Sequence, residues 1–231
     1  MNLYCIPYAG CSARVYDSWQ RHLPERVTVL PMELPGRGAR CVVEPIDELA
    51  PLLADLSQQL DLTSPYVLFG HSYGAVLAFE LAKLLRAKGD PEPAALLVSA
   101  SRAPRLLGAD ADTHRLSDAE LTKRLAELGG TPQELLENEE LMEIYLPVIR
   151  ADYRILGEYG TGTPGTVGCP VVAFYGDADD EADLASVEEW ANYTDSSFGV
   201  EKIHGDHFFL HAAESELVAA VEAVCTKGEL S

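Results

Sequence analysis

The sequence predicts an α/β fold: a mostly parallel central sheet flanked by helices, with a helical lid inserted late in the chain. Three observations predict it. Short apolar runs of strand composition alternate with helix-forming runs, the pattern of parallel strands joined by covering helices. At residues 66–80 an apolar strand run passes through Gly70-His71-Ser72-Tyr73-Gly74 straight into a helix-forming run, a sharp strand-to-helix turn. Between Ser101 and Pro170 lie roughly seventy residues with helical signals and no convincing strand, too many for a plain connection.

In chain order, Leu3 to Tyr8 reads as the first strand and Val27 to Leu34 as the second, with a helix around Val15 to Leu23 between them. A helix near Ile46 to Leu60 leads to the strand Tyr66 to Phe69, and a long helix follows the turn from about Ala75 to Lys88. Gly89-Asp90-Pro91 stops that helix. Ala95 to Ala100, Val171 to Tyr175 and Gly199 to Ile203 are the later strands, and Phe209 to Lys227 is the closing helix. Within the insertion, Ser117-Asp118-Ala119-Glu120 has capping-box spacing, and Leu141 to Leu156 carries apolar residues at helical intervals. Tyr159 to Gly165 reads as the hinge by which the lid returns. The 231 residues, 47% of them hydrophobic, suit one domain over 1–231 with the lid at about 104–160.

Composition excludes several function classes. A formal net charge of −20 repels phosphate backbones, so nucleic acid is not an expected partner. The five cysteines, Cys5, Cys11, Cys41, Cys169 and Cys225, are scattered and form no Cys-x-x-Cys pair, which argues against disulfide frameworks and metal sites. No apolar run approaches the roughly 18 residues of a membrane span, and the chain opens on a strand rather than a targeting segment. A cytoplasmic protein with no membrane contact is expected, with a monomer as the default.

The turn at Ser72 is a nucleophile elbow: the serine hydroxyl projects above the sheet edge, and Gly70 and Gly74 remove side chains that would clash across it. A serine needs a base, and the base needs a carboxylate to hold its tautomer. In this architecture they follow in the order serine, acid, histidine, just past the carboxyl ends of later strands. Gly176-Asp177-Ala178-Asp179-Asp180 supplies the acid, with Asp179 favoured and Asp177 and Asp180 behind it. His204-Gly205-Asp206-His207 supplies the base, with His207 on the turn before the last helix; His204 and His211 are less well placed, and His71 is a neighbour of the site. The backbone N–H groups of Tyr73 and of Ala9, the latter in the small-residue loop after the first strand, are the expected oxyanion donors.

Taken together, Cys5-Ile6-Pro7-Tyr8-Ala9-Gly10, Glu33-Leu34-Pro35-Gly36-Arg37-Gly38, the elbow, Leu146-Pro147-Val148-Ile149-Arg150-Ala151-Asp152-Tyr153 and Gly205-Asp206-His207-Phe208-Phe209 resemble the type II thioesterases. These are free-standing editing enzymes of nonribosomal peptide and polyketide synthesis with the α/β-hydrolase fold. The lid segment Leu146 to Tyr153 is the most discriminating piece. The resemblance implies hydrolysis of acyl groups misattached to the phosphopantetheine arm of acyl or peptidyl carrier proteins, with Ser72 as nucleophile, Asp179 as acid, His207 as base and no cofactor. The chain departs from the family pattern at Cys11, Tyr73 and Asp206, where methionine is usual at 73 and glycine at the other two. Carrier proteins are typically acidic, so an acidic enzyme should bind them weakly and transiently, through Arg14, Arg37, Arg40, Arg102 or Arg105 or through apolar lid contacts. A small-ester esterase or lipase, a carrier-protein acyl transferase and a non-catalytic binding module are the competing readings.

Overall fold

In a computed structural model, which describes residues 1–110, 112–160 and 165–227, six strands form one sheet in the order β2-β1-β3-β4-β5-β6, every pairing parallel. The strands are β1 (Asn2–Ile6), β2 (Thr28–Pro31), β3 (Tyr66–His71), β4 (Ala95–Ser99), β5 (Val171–Gly176) and β6 (Phe198–Ile203). β3 and β4 are buried at every position, as apolar strands covered on both faces must be. The chain runs outward from β1 to β2 and then returns to β3 on the other side of β1. The strand order therefore reverses between β1 and β3, and a crevice opens beyond their carboxyl ends.

Two apolar clusters cover the sheet. One gathers around helices α1 (Leu49–Ser57) and α2 (Tyr73–Lys88), with Phe79 and Trp190 in edge-to-face contact. The other places Tyr16, Trp19, Phe69 and Phe174 with the final helices. α2 is buried over most of its length and ends at Gly89, whose φ of 76° gives the left-handed cap.

Three expected helices differ from the reading of the sequence. Val15 to Leu23 is not one α-helix but two 3₁₀ turns, Ala13–Tyr16 and Trp19–Arg21. Tyr16 and Trp19 are both fully buried and stack edge-to-face, and a threefold turn brings residues three apart to the same side. The helix expected from Ile46 begins only at Leu49, because Pro51 lacks an N–H and is tolerated in the first turn but not deeper. The closing helix is split into α7 (Phe209–Ala212) and α8 (Glu214–Lys227), with Ala213 outside the helical region at φ −115°, ψ 33°. Phe209 and Leu210 are thereby buried beside the sheet before the chain changes direction.

Between β4 and β5 the named elements among the described residues are helical: 3₁₀ turns at Pro104–Asp110 and Thr113–Arg115, then α3 (Asp118–Leu128), α4 (Gln133–Leu136) and α5 (Glu139–Glu158). Ser117 and Glu120 form the reciprocal capping box, and α5 overruns the expected Leu141 to Leu156 by two residues at each end. Leu121, Leu125, Met142, Leu146 and Ile149 make a separate small core for these helices. Residues 161–164 of the expected hinge lie outside the described residues. Among the described residues no helix is long and apolar enough to cross a membrane.

Candidate active site

Ser72 sits between β3 and α2 at φ 53°, ψ −116°, a conformation that side chains rarely adopt. Close backbone packing imposes it. A Cβ added at Gly70 would lie 2.1 Å from the Gly74 carbonyl oxygen, and one at Gly74 would lie 2.2 Å from that of Ile6. The Ser72 N–H donates to Ser99 O at 2.7 Å, tying the turn to β4. Ala100, the other non-glycine residue at positive φ among those described, lines the same chamber.

The structure brings the three sequence-predicted side chains together. His207 Nε2 is 3.0 Å from Ser72 Oγ, and His207 Nδ1 is 3.0 Å from Asp179 Oδ2. The carboxylate only accepts, so Nδ1 carries the proton and Nε2 is left to receive one from the serine. Asp179 has no exposed side-chain surface, and its Oδ1 accepts the N–H groups of Glu181 at 2.8 Å and Ala182 at 3.0 Å. Burial pushes this carboxyl up, but the His207 bond and charge and the two amides outweigh it, so its pKa falls below the ordinary value.

The alternatives are occupied elsewhere. Asp177 accepts the Gly205 N–H and faces exposed His204. Asp206 accepts the Phe208 N–H at 2.9 Å, and Asp180 is exposed. His211 contacts the Tyr8 hydroxyl at 3.1 Å.

His71 has a role that the sequence reading left at "neighbour". Its Nε2 lies 2.9 Å from the His207 carbonyl, which can only accept, so Nε2–H donates and the Ser99 hydroxyl donates to Nδ1 at 3.0 Å. A neutral, fully buried imidazole at the end of β3, next to Ser72, thus fastens the loop carrying His207 to β3 and β4. Burial, reinforced by the positive charge His207 can carry, lowers its pKa to about 3. The unfolded chain binds a proton near pH 6.5 and the folded chain does not, so this group removes stability as pH falls from about 6.5 towards 3. The loss by pH 4.5 is about 2–3 kcal/mol. In His71→Gln the stability measured by denaturant unfolding at pH 7.5 and 4.5 should differ by correspondingly less; an unchanged difference refutes this account.

Above the serine is a chamber of about 110 Å³, walled by Tyr8, Ala9, Tyr73, Val76 and Phe208 and closed by lid residues Leu125, Leu128, Tyr153 and Leu156. Ala9 and Tyr73, the expected oxyanion donors, both border it beside Ser72. Tyr73 stands at the N-terminus of α2, where the helix dipole favours negative charge. On its rim Glu181 is flanked by Arg102 at 3.7 Å and by Arg124 of α3 at 3.4 Å, an ionic contact between lid and sheet. Arg37 is not the docking residue the sequence suggested: it is 5% exposed, because its guanidinium is folded inward onto Asp152 of α5. Arg40 is held by Asp55 at 2.6 Å and Arg105 pairs with Glu189, while Arg14 is exposed beside a second, open pocket across the Ala9 loop.

Residues 1–226 match the sequence model of the Thioesterase domain family. The RedJ thioesterase of the prodiginine biosynthetic pathway in Streptomyces coelicolor is 39% identical, superposes with a TM-score of 0.90, and is matched over 97% of this chain and 90% of that one. ClbQ, from the colibactin pathway, is 33% identical with a TM-score of 0.92, over 99% of this chain and 98% of the other. Linear gramicidin dehydrogenase LgrE of Brevibacillus parabrevis is 37% identical over 96% of this chain and 86% of its own length. The activity in that last name does not carry over, since the family match and the serine–imidazole–carboxylate geometry both belong to acyl hydrolysis. With an α/β-hydrolase sheet, an elbow serine under a helical lid and this match along nearly its whole length, the chain belongs to the thioesterase family, among its type II members.

Proposed function

We propose that the protein hydrolyses acyl groups from the phosphopantetheine thioesters of acyl or peptidyl carrier proteins in a nonribosomal peptide or polyketide pathway. The observation that carries this reading is the unbroken relay from Ser72 through His207 to Asp179 at the floor of a lidded chamber. Ser72 Oγ attacks the thioester carbonyl as His207 Nε2 takes its proton, and the oxyanion is held by the N–H groups of Tyr73 and Ala9. The thiol leaves with that proton. Water, deprotonated by the same nitrogen, then attacks the acyl-serine, and the acid departs as Ser72 is reprotonated. No cofactor enters these steps.

The apolar lining of the chamber, with Val76, Leu125, Leu128 and Leu156 above the serine, supports an acyl group as its ligand. The family relatives support the pathway: RedJ is named for the prodiginine biosynthetic pathway, ClbQ for the colibactin nonribosomal peptide and polyketide pathway, and GrsT of Aneurinibacillus migulanus, 34% identical over 94% of this chain, for gramicidin S biosynthesis. Carrier contact is weak and transient, because both surfaces are acidic and four of the five arginines considered are engaged internally.

Matched acyl-carrier thioesters and small oxygen esters offered to the free protein, with a separate portion treated with a serine-directed phosphonate to label Ser72, test the proposal. Preferred thioester turnover with water as acceptor is expected. Preference for the oxygen ester, transfer of the acyl group to a second thiol, or absence of labelling would each replace it with the corresponding rival.

A further inference from the structure

We infer that Asp152, on the lid helix α5, is a positioning residue for the oxyanion site. The inference rests on acyl transfer through Ser72 as proposed above. Asp152 belongs to the segment that made the lid distinctive in sequence, and its neighbours show how that segment divides its work. Arg150 serves the lid itself, donating to the carbonyls of His114 at 2.6 Å and Leu116 at 2.7 Å and to Asp118 at 2.6 Å. Tyr153 lines the chamber. Asp152 is 1% exposed and faces the loops that follow β1 and β2.

Its carboxylate makes three bonds. Oδ1 accepts Arg37 Nη2 at 2.8 Å, and Oδ2 accepts Arg37 Nη1 at 2.6 Å together with the Gly10 N–H at 2.7 Å. Burying an ion pair costs several kcal/mol for each ion, and apolar residues of similar volume would serve a simple cover at least as well. The bond to Gly10 explains why a carboxylate is here. Gly10 follows Ala9 and is held at φ 74°, where a Cβ would meet Ile149 of the same helix at 2.8 Å. Fixing this peptide plane limits how far the adjoining Ala9 amide can turn from the chamber. Arg37 cancels the charge, so the loop is held without a bare anion behind the place where a second one develops.

Tyr73 is 1% exposed and its hydroxyl is buried. Burial, with the negative charge of Asp152 next in size, raises its phenol far above the ordinary range. Asp152 thus holds the peptide next to Ala9, one of the two expected oxyanion donors.

Two double variants isolate the bond to Gly10. Arg37→Met with Asp152→Asn removes the ion pair but keeps an oxygen for the Gly10 N–H; Arg37→Met with Asp152→Leu removes both. With a short acyl-pantetheine thioester, the first should keep kcat within about tenfold of the parent, and the second should fall roughly a hundredfold below the first, the scale of one lost oxyanion donor. KM should stay within about threefold in both, and affinity for a trifluoromethyl ketone that adds to Ser72 should fall with kcat. Equal kcat in the two variants, or a loss confined to KM, overturns the inference. Failure of the underlying reading looks different, since no adduct would then form on Ser72 in the parent protein. The parent also provides a test that needs no variant to fold. On adduct formation the Ala9 amide proton should shift downfield in NMR while the Gly10 amide stays protected from exchange; an unshifted Ala9 amide or a freely exchanging Gly10 amide overturns the inference.

Discussion

Ser72→Ala is expected to lower thioester hydrolysis by about 10⁶ in kcat while leaving the protein folded. The size follows from what is lost: without the hydroxyl no acyl-enzyme forms, and His207 has only water to activate in a chamber shaped to place a carbonyl on the serine. The fold should not notice, because the bonds that hold the elbow are made by backbone, Ser72 N–H to Ser99 O and Ala75 N–H to Ser72 O. Among the described residues the side chain hydrogen-bonds His207. A melting temperature within a few degrees of the parent is therefore expected. Because serine and imidazole act as a unit, His207→Ala should cost nearly as much, and the double variant little more than either. Thiol release from an acyl-carrier thioester, followed with a chromogenic disulfide, reads all three; equal release by parent and Ser72→Ala would falsify the proposed chemistry.

What could be read from the sequence was local, or was constrained by the order of strands. The elbow is a run of five residues between a strand and a helix, and both glycines are explained by contacts made within or beside that turn. Asp179 and His207 could be named because parallel strands deliver their following turns to one sheet edge, so a carboxylate after β5 and a histidine after β6 have one place to meet. Contacts between distant positions without a shared pattern stayed hidden. Arg37 and Asp152 are 115 residues apart and Gly10 and Asp152 are 142 apart, and nothing in either neighbourhood announces a partner. Arg37 consequently read as a surface cation. The grip of His71 on the His207 carbonyl spans 136 residues and was hidden for the same reason. The 3₁₀ turns at Tyr16 and Trp19 were missed differently: apolar spacing there fits either helix type, and packing against Phe69 decides it.

Asp179→Asn carries the second largest expected effect, a loss of about 10⁴ in kcat, and it separates this carboxylate from the three aspartates around it. An asparagine can present its amide nitrogen to His207 Nδ1, which then becomes the acceptor and sends the ring proton to Nε2, where it faces Ser72 and cannot accept another. The two backbone N–H groups on Oδ1 promote that orientation, since Glu181 and Ala182 already demand an oxygen there and leave the amide nitrogen directed at the histidine. Asp206 is adjacent in sequence, yet its carboxylate is taken up by the Phe208 N–H, and Asp177 is engaged with Gly205 and His204 on the exposed side. Asp206→Asn and Asp177→Asn should therefore stay within about threefold of the parent, as expected for groups that do not touch the imidazole. Single-turnover measurement of acyl transfer to Ser72 reads the effect at the step where the tautomer matters. A loss in Asp206→Asn as deep as in Asp179→Asn would mean that the aspartate beside the base, rather than the one after β5, sets the tautomer during turnover.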